Sequence, residues 1–262
     1  MNSELPVLPK LDVLTTRITV GSFAQQINSF AAFGAAHRSS YVCCVNAHMT
    51  VEARDPEFGQ IVRSADFATA DGMPVLIAMR RFHRIDQERV AGNDIMPALM
   101  KQAARQGLSV YLYGGADEVL QKIKERLAVE LPNLIIAGSH APPFAPLSAM
   151  DLEAEAQRIN SSGAHIVMVS LGCPKQEQWM SLMKGKVNAI MLGLGGAFLL
   201  YAGVDTRAPE WMRRLSLEWL YRLWLEPGRL WKRYLVTNSI FVTLYIKAAL
   251  ANLFNGRPNA ST

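Results

Sequence analysis

Cysteine is scarce in this sequence of 262 residues, and the few cysteines form no recognisable pattern. Cys43, Cys44 and Cys173 give neither an even disulfide framework nor the spacing of a metal site. The N-terminus lacks the charged-then-apolar arrangement of a secretory signal. We therefore expect a protein of the reducing cytoplasm and exclude the disulfide-rich secreted folds.

The motifs of several common enzyme classes are also missing. The sequence contains no P-loop, no H-E-x-x-H pair and no G-x-S-x-G elbow, which argues against the nucleotide, zinc and serine chemistries that depend on them. It contains no D-x-D sequence that would hold a divalent cation on a sugar-nucleotide diphosphate. Any diphosphate chemistry would therefore have to use cationic side chains.

The length and composition suit one α/β core, alone or with a small appendage. Half of the residues are hydrophobic, which is enough for one sizeable core. Short β-rich runs alternate with helix-like runs, the pattern of a mostly parallel sheet covered by helices. The strands are predicted at YVCCVN, DFATA, VYLYGG, LIIAG, IVMVSLG and AIMLGLGG. The expected fold is Rossmann-like α/β, with helices on both faces of the sheet.

Amphipathic segments between these strands are predicted to be helices. They are MTVEARDPEFGQIVRSA, NDIMPALMKQAARQG, ADEVLQKIKERLAVEL, DLEAEAQRINSSG and PKQEQWMSLMK. A helix-like run also follows the Asp71-Gly72 pair. The turn-rich stretch HAPPFAPLS joins the fourth strand to its helix without resembling a domain linker. One main domain is expected.

The net charge of +5 is concentrated near the end of the sequence. Residues 207–262 contain nine Lys or Arg and three Glu, a surplus of six, which leaves minus one for residues 1–206. Four of the five tryptophans lie in the same region: Trp211, Trp219, Trp224 and Trp231. Indole and guanidinium groups together suit an anionic membrane interface. Nucleic acid is the competing partner for a basic aromatic segment.

Residues 234–254, YLVTNSIFVTLYIKAALANLF, weaken the nucleic-acid alternative. Lys247 is the only charge in this run, which is roughly as long as a bilayer-spanning helix. Ser239, Thr243 and Lys247 recur every four residues as one polar stripe, which favours a helix lying in the membrane interface over one crossing the bilayer. A buried C-terminal helix is the alternative. We expect a membrane surface, and no nucleic acid, as the partner.

Polar residues and glycines follow the predicted strands. In open parallel sheets, ligands bind outside the carboxyl ends of the strands. The residues at these ends are Asn46, Asp71, Gly114, Gly115, Gly172, Gly195 and Gly196. Asp71 is therefore predicted on the rim of a ligand crevice. Its alternative role is to cap the helix that begins near Gly72.

The glycine pairs do not make a convincing dinucleotide site. LGLGGAF departs from G-x-G-x-x-G and lies late in the sequence. In YGGADE the glycines are followed by Asp117 and Glu118, whose carboxylates would repel a pyrophosphate at that helix N-terminus. A nicotinamide enzyme is therefore disfavoured.

Six segments occur in the order found in a known family. They are VNAHMTVEARDPEFGQIVRSADFATADGMPV, ERVAGNDIM, VYLYGGADEV, VSLGCPKQEQW, LGLGGAF and RAPEWMRRLSLEWLYRLWLEPGRLWKRY. Through them the sequence resembles the bacterial WecG/TagA/CpsF glycosyltransferase family over about residues 12–235. The resemblance implies an inverting transfer of a sugar, typically N-acetylmannosamine or its uronic acid, from a UDP donor to a polyprenyl-diphosphate-linked sugar. It implies no metal and no cofactor.

The resemblance also implies catalytic residues. Asp71, the Asp of the family's Asp-Gly pair, would take the proton from the acceptor hydroxyl. Arg222 and Arg229 match family arginines that would stabilise the departing UDP, and Lys232 falls on a third basic position. A placed carboxylate and guanidinium groups are what such a transfer requires without a metal. For Arg222 the alternative is a surface ion pair with Glu218 at i, i+4.

The resemblance also implies that residues at further positions are substrate ligands. Asn46 and Gln176 match plausible donor ligands of the family. Arg89 and Asp94 belong to an R-V-A-G-x-D motif, in which Arg89 could instead form a structural ion pair with Asp94. The remaining predicted substrate-binding residues are Cys44, Gly72, Gly114, Gly115, Gly195 and Gly196.

Four positions depart from the family pattern. Cys44 and Val45 replace Thr-Pro before Asn46, His48 replaces Glu, and Leu199 stands where many members have Asp. These changes surround the crevice and leave the identity of the donor open.

Several polar residues near the crevice have competing interpretations. His48 is an alternative general base. The Cys44 thiol has no His or Asp in an obvious activating pattern, and burial is the commoner fate of such a cysteine. Lys175 and Glu177 could equally be first-turn charges of a helix that starts at Pro174.

The prediction is thus a cytoplasmic enzyme, peripherally attached to the inner face of the plasma membrane, in cell-surface polysaccharide or teichoic-acid-type assembly. Residues 1–205 are expected to form the catalytic core, and residues 206–262 a basic, Trp-rich, apolar helical segment, called the appendage below. One alternative is a relative that uses UDP-glucose or another UDP-hexose. An alternative of another class is a non-catalytic, lipid-binding assembly protein. Self-association through the apolar run stays open.

Overall fold

The protein is built on a six-stranded parallel sheet. The computed structural model describes residues 5–214, 218–225 and 227–254. The sheet comprises β3 (Ser40–Val45), β4 (Phe67–Ala70), β5 (Ser109–Gly114), β6 (Ile135–His140), β7 (Ile166–Ser170) and β8 (Ile190–Gly193), in the spatial order β4-β3-β8-β7-β5-β6. Every pairing is parallel. The predicted α/β class and the six predicted strands are confirmed.

The connections that leave two adjacent strands, β5 and β7, run toward opposite sides of the sheet. From β5 the chain passes outward to β6, whereas from the neighbouring β7 it passes inward to β8. Such a change of direction opens a crevice at the carboxyl ends of the strands, which is where ligands bind in open parallel sheets. We call this end of the sheet the carboxyl edge.

A small antiparallel hairpin precedes the sheet. Strands β1 (Lys10–Val13) and β2 (Thr16–Thr19) pair with each other. The hairpin lies against β4, where the Ala68 N–H donates to Thr19 Oγ1 at 2.9 Å. Sequence patterns did not predict this hairpin, because its two strands are only four residues long.

Helices enclose the sheet. The helices of the core are α1 (Phe23–Ala35), α2 (Ala47–Glu52), α3 (Pro56–Ser64), α4 (Met73–His83), α5 (Gly92–Gln106), α6 (Asp117–Glu130), α7 (Leu152–Ser161), α8 (Lys175–Met183) and α9 (Ala197–Tyr201). Those of the appendage are α10 (Glu210–Arg214), α11 (Glu218–Leu225) and α12 (Pro227–Phe254). Each predicted helix is present, although one of them is divided.

The helix predicted over residues 49–65 is two helices, α2 and α3. Asp55 is the N-cap of α3, and its Oδ1 accepts a hydrogen bond from the Phe58 N–H at 2.9 Å. Pro56 follows at the first helical position and has no N–H to continue the preceding helix. The sequence signal was present as an Asp-Pro pair inside the amphipathic run.

The core consists of two apolar layers, one on each face of the sheet. Helices α1, α5, α6 and α9 contribute to one layer, and α3, α4, α7 and α8 contribute to the other. Alternate residues of β3 enter opposite layers, since Val42 and Cys44 lie in the first while Tyr41 and Cys43 lie in the second. This period of two is what a strand buried on both faces requires.

The long helix α12 packs on the core through one stripe of its surface. It contacts α2 and α4; Thr237 and Phe241 are buried, and the Tyr245 ring lies 5.3 Å from the Phe82 ring. Within α12, Tyr234–Asn252 is long and apolar enough to cross a membrane by length and composition, and 11% of it is buried. The alternative of a buried C-terminal helix is therefore wrong for most of its surface.

Candidate active site

The carboxyl edge brings together residues that are far apart in the sequence. In the order of the strands, Asp71 follows β4, Asn46 follows β3, Gly195 and Gly196 follow β8, and Gly115 follows β5. Gln176 reaches the same edge from the first turn of α8, where its side chain contacts Gly195. These are residues that the sequence predicts for one site.

Asp71 lies half-buried between β4 and α4. Its backbone N–H donates to Val45 O at 2.9 Å, which continues the pairing of β3 with β4. Gly72, not Asp71, is the N-cap residue of α4. The capping interpretation of Asp71 is therefore wrong. The first turn of α4 contains no acidic residue, so the positive end of this helix dipole beside Asp71 is not neutralised within that turn.

Asn46 and Cys44 flank Asp71 on the neighbouring strand. Asn46 is the N-cap of α2, and its Oδ1 accepts from the Met49 N–H at 3.1 Å; its amide nitrogen is the part that could serve a ligand. Burial raises the pKa of the Cys44 thiol, and the carboxylate of Asp71 raises it further. Cys44 is therefore a neutral, buried thiol and not an activated nucleophile.

Gln176 and Glu177 form a buried pair at the middle of the carboxyl edge. Gln176 Nε2 donates to Glu177 Oε1 at 2.9 Å, and Gln176 Oε1 accepts from the Gly195 N–H at 3.1 Å. Gly193 must lack a side chain, because a Cβ there would come within 2.5 Å of Gln176 Nε2. The amide of Gln176 thus fixes the loop after β8 to the start of α8.

Glu177 lies in the first turn of α8, as one interpretation of the sequence predicts, but its side chain is buried. Its exposure is 0%, and burial raises its pKa to about 7, against hydrogen bonds from Gln176 and Cys173 that lower it. A carboxyl group in this position is largely protonated in acidic solution and becomes charged near neutral pH. Lys175 points elsewhere, since its Nζ donates to Ala145 O at 2.5 Å and holds the loop after β6.

The glycine pair after β5 lies against the end of β7. Gly114 has φ +92°, and a Cβ there would approach Ser170 O to 2.4 Å, so only glycine fits. The Gly115 N–H donates to Ser170 O at 2.9 Å. Asp117 and Glu118 occupy the first turn of α6, so the two carboxylates expected to repel a pyrophosphate do lie at that helix N-terminus.

Arg89 and Asp94, predicted as substrate ligands, form the ion pair at the start of α5 that was the alternative for Arg89. Arg89 Nη2 lies 3.2 Å from Asp94 Oδ2. A second arginine, Arg207 of the appendage, donates from Nη2 to Asp94 Oδ1 at 2.6 Å. Arg207 was not predicted as a site residue from the sequence.

The cationic residues predicted in the appendage lie on two helices. Arg222 belongs to α11, and Arg229 and Lys232 belong to α12, which begins at Pro227. Arg222 and Arg229 therefore lie on separate helices, with Pro227 as the first residue of the second one. Lys232 is exposed. The side chains of Arg222, Arg229 and Glu218 lie outside the described residues.

The four positions that depart from the family pattern lie at or near the carboxyl edge. Cys44 and Val45 end β3, and His48 lies in α2 with its Nδ1 3.8 Å from Glu52 Oε1. Leu199 is in α9, just after the glycine pair of β8, and is 40% exposed. Within the described residues, no group of three or more His, Cys, Asp or Glu side chains could hold a metal ion.

Two features of this edge could not be predicted from the sequence. The burial of Glu177 depends on the packing of α8 over β3 and β8, which the local sequence does not reveal. The partner of Arg207 is 113 residues away in the sequence. A signal existed for Arg207, because the R-A-P-E-W segment that contains it is among the segments that resemble the family.

The chain matches the sequence model of a known protein family. The sequence model described as Glycosyl transferase WecG/TagA/CpsF family matches residues 11–254. The matched region includes the whole sheet, every strand end of the carboxyl edge and the appendage through the end of α12.

Proposed function

Because the chain belongs to the WecG/TagA/CpsF family of glycosyltransferases, which act in polysaccharide and teichoic acid synthesis, we propose that it transfers a sugar from a UDP donor to a polyprenyl-diphosphate-linked sugar. The transfer inverts the anomeric carbon and requires no metal. It takes place at the cytoplasmic face of the plasma membrane.

The observation that carries this proposal is the position of Asp71 among the other strand-end residues. An acceptor hydroxyl is a poor nucleophile at neutral pH, and one carboxylate within hydrogen-bond reach is enough to remove its proton as it attacks. The donor would lie across the ends of β3, β8 and β7, near Asn46 and Gln176. The acceptor hydroxyl would approach from the side of Asp71, so that attack and departure occur on opposite faces of the sugar.

The departing UDP requires positive charge. We assign this role to Arg222 and Arg229, with Lys232 as a third cation, because guanidinium groups bind diphosphates in bidentate fashion and stabilise charge where it develops. Their position on two separate helices, α11 and α12, supports convergence on one diphosphate. Two arginines on one straight helix face would be held at a fixed spacing and could not approach the diphosphate from separate segments.

Membrane attachment is proposed through the appendage. Trp211, Trp219, Trp224 and Trp231 are all exposed, and the described surface of α12 that faces away from the core presents Leu235, Val242, Ile246 and Leu250. Exposed indoles beside an apolar helical stripe suit the boundary between headgroups and acyl chains. A lipid-linked acceptor would reach the carboxyl edge from this side, since α12 packs on α2, the helix that Asn46 caps.

N-acetylmannosamine or its uronic acid is the first sugar to test, and UDP-glucose or another UDP-hexose is the second. The second is favoured by the departures from the family pattern at Cys44, His48 and Leu199, which lie at or near the proposed donor site. Side chains that differ at these positions would contact a different sugar or present different hydrogen-bonding groups to the same one.

The test is UDP release from a panel of UDP-sugars, with a prenyl-diphosphate-linked sugar as acceptor, in detergent or lipid vesicles. We expect release that depends on both the acceptor and one UDP-sugar. Binding of the lipid without release from any donor would instead support the alternative of a non-catalytic assembly protein. Donor hydrolysis that does not depend on the acceptor would contradict the transferase proposal.

The same assay tests the cationic mechanism. Activity should persist in EDTA, and strict dependence on Mg²⁺ or Mn²⁺ would overturn the proposed role of the arginines. Arg222→Ala should reduce turnover by about 10²-fold or more if its guanidinium stabilises the leaving group. Glu218→Ala is the matched control, because a surface pair at i, i+4 contributes only a few tenths of a kcal/mol.

A further inference from the structure

Helix α4 carries a local concentration of positive charge on the core. Arg80 and Arg81 lie in its last turn, Arg84 is its C-cap residue, and all three are exposed. Asp86 is the only carboxylate in residues 73–86, so three arginines and one aspartate leave a local surplus of two positive charges. The near-neutral sum of residues 1–206 therefore conceals a basic surface on the core.

The three arginines share one outward side of α4. Residues at i, i+3, i+4 and i+7 lie on the same side of a helix, so Ile77, Arg80, Arg81 and Arg84 form one strip. Ile77 is 52% exposed, although isoleucine is among the residues most often buried. We call these four residues the α4 patch.

The other sides of α4 are occupied by the rest of the protein. Met79 is buried in the apolar layer beneath the helix. On one side, the Phe82 ring lies 5.3 Å from the Tyr245 ring of α12. On the other, His83 Nε2 donates to Asp12 O of the hairpin at 2.7 Å. Helix α4 thus lies between α12 and the hairpin, and the α4 patch faces solvent.

Interactions within the protein do not account for three arginines at this position. Among the residues that the structure describes, none of the three guanidinium groups forms an ion pair with a carboxylate. Two acids of neighbouring segments are engaged elsewhere, since Asp12 pairs with Arg63 and Glu88 accepts from the Phe23 N–H. The helix dipole favours a cation in the last turn, but Arg84 has φ +58°, where glycine is preferred. This arrangement suits an external anion.

We propose that the α4 patch binds the phosphate groups of anionic phospholipids, so that the core itself contacts the membrane beside the appendage. This inference rests on the proposed function, in which the appendage attaches to the membrane. Guanidinium groups bind phosphate oxygens in bidentate fashion. The cytoplasmic leaflet carries a negative surface potential that attracts clustered arginines. Ile77, one turn before the arginines, enters the headgroup layer beside them.

Contact through α4 would orient the active site. Helix α4 begins at Met73, two residues after Asp71, at the carboxyl edge. It also packs on α12, whose exposed stripe is proposed to enter the lipid. Attachment through α12 alone would leave the core free to turn about that helix. A second contact through α4 restricts this rotation and keeps the carboxyl edge at a fixed angle to the bilayer that carries the acceptor.

The α4 patch adds to the affinity of the appendage and does not replace it. Each arginine near an anionic membrane surface strengthens binding by about fivefold, so three together contribute about 10²-fold. An attraction of this size without an apolar anchor does not hold a protein stably on a bilayer, because stable attachment takes two signals. The core without the appendage should therefore not sediment with vesicles.

The experiment measures sedimentation of the full-length protein with vesicles of phosphatidylcholine, either alone or mixed with phosphatidylglycerol. The variant carries Arg80→Gln, Arg81→Gln and Arg84→Gln together, which removes three charges and keeps polar side chains. Its binding to the phosphatidylglycerol vesicles should be about 10²-fold weaker and should depend less on salt. Its binding to phosphatidylcholine alone should match that of the wild type.

The matched control removes the same amount of charge from the opposite face of the sheet. It carries Lys101→Gln, Arg105→Gln and Lys122→Gln, at exposed positions on α5 and α6. Its binding to phosphatidylglycerol vesicles should fall much less, because charges far from the membrane are screened by salt. In neutral detergent both triple variants should keep the wild-type kcat for transfer, since neither set belongs to the proposed active site.

The outcomes separate this inference from the proposed function. If the wild type does not bind phosphatidylglycerol vesicles, the proposed membrane attachment is wrong and this inference falls with it. If the wild type binds and the α4 variant binds equally well, or the control loses as much, only this inference is overturned. A lower kcat of the folded α4 variant in neutral detergent would overturn it too, with circular dichroism as the check on folding. Loss of single-stranded RNA binding with vesicle binding retained would identify a nucleic-acid surface instead.

Discussion

Asp71 is the residue on which the proposed transfer depends most directly. In Asp71→Asn the side chain keeps its shape and loses its ability to accept a proton, so the protein should fold normally and lose about 10²-fold or more in kcat. The measurement is the initial rate of UDP release at saturating donor and acceptor, with far-UV circular dichroism as the check on folding. Added metal should not restore the rate.

A matched variant distinguishes this loss from a general effect of charge at the carboxyl edge. Asp117→Asn removes a carboxylate from the first turn of α6, which begins at the same edge after β5. Its kcat should stay near that of the wild type. A wild-type rate for Asp71→Asn, or an equal loss in both variants, would mean that Asp71 is not the base.

Glu177 gives a prediction about stability and pH. Burial raises its pKa to about 7 from an unfolded value of 4.5, so between these two values the folded protein retains a proton that the unfolded chain has lost. The stability associated with this proton is fully present below about pH 4.5 and is lost as the pH rises through about 7. The loss amounts to about 1.4 kcal/mol for each pH unit in the range between the two pKa values.

Glu177→Gln removes this titration while it keeps a side-chain oxygen that can accept from Gln176. The free energy of unfolding of the variant, relative to the wild type, should therefore rise between acidic and mildly alkaline solution. Chemical denaturation at several pH values measures it, and the comparison cancels groups that both chains share, such as His165, whose pKa burial lowers. A constant difference across this range would show that Glu177 titrates as it does in the unfolded chain.

At the scale of elements, sequence patterns predicted the strands better than they predicted the surroundings of polar residues. The runs of β3, β5, β7 and β8 are apolar on both faces, a strong signal for central parallel strands. The short hairpin was not predicted, because four-residue strands carry little periodicity. Helix α1, which precedes the first predicted strand, was not predicted either. The convergence of Asp71, Asn46 and Gly195 at one end of the sheet was predictable, because each of them follows a strand.

Other features of the site depend on contacts between distant segments. The sequence places Glu177 one residue after Gln176 but does not indicate that α8 buries it completely. It places Arg207 in a basic segment but does not indicate that its partner is Asp94. Both facts follow from the packing of whole elements, and no local propensity encodes them.

Substitutions on the two surfaces of α12 are expected to have opposite effects on the stability of the helix and on membrane binding. Phe241 is 6% exposed on the surface that contacts the core, whereas Ile246 is 50% exposed on the other. Phe241→Ala should lower the free energy of local opening of α12 by about 3 kcal/mol, measured by amide hydrogen exchange, because it removes a buried aromatic ring. Binding to anionic vesicles should change little.

Ile246→Ala is the matched variant on the opposite surface. It should leave the exchange of α12 nearly unchanged and weaken partitioning into anionic vesicles by about tenfold, because it removes apolar surface that enters the lipid. Analytical ultracentrifugation without lipid tests self-association through the same stripe. If Ile246→Ala shifts the oligomeric state and leaves vesicle binding intact, the stripe is a subunit interface and not a membrane surface.

At the scale of the whole molecule, the surplus positive charge and most of the tryptophans are concentrated in one part of the chain. Residues 1–206 sum to about minus one, and residues 207–262 hold the surplus cations and four of the tryptophans. In the proposed active site, the core would supply Asp71, Asn46 and Gln176, and the appendage would supply Arg222, Arg229 and Lys232. We therefore propose that donor binding and leaving-group stabilisation are separable, and that membrane docking of the appendage completes the active site.

Such an arrangement would suppress hydrolysis of the donor away from the membrane, since the cations that stabilise departing UDP would be in place only when the acceptor is near. The structure indicates where the core ends. Tyr201, at the end of α9, is held by α6, because its carbonyl accepts from Arg126 Nη1 and its hydroxyl donates to Glu130. The backbone N–H groups of Val204 and Asp205 both donate to Leu199 O.

Truncation after residue 205 keeps all of these contacts and removes the appendage. The truncated protein should be folded, retain the sheet and α9, and lose both sugar transfer and binding to anionic liposomes, because Arg222, Arg229 and the exposed tryptophans are absent. Circular dichroism, liposome sedimentation and UDP release measure the three properties. UDP binding should persist, since Asn46 and Gln176 remain in the core. If the truncated core transferred sugar to a lipid-linked acceptor as fast as the full chain, the appendage would be an anchor alone and its arginines would not be catalytic.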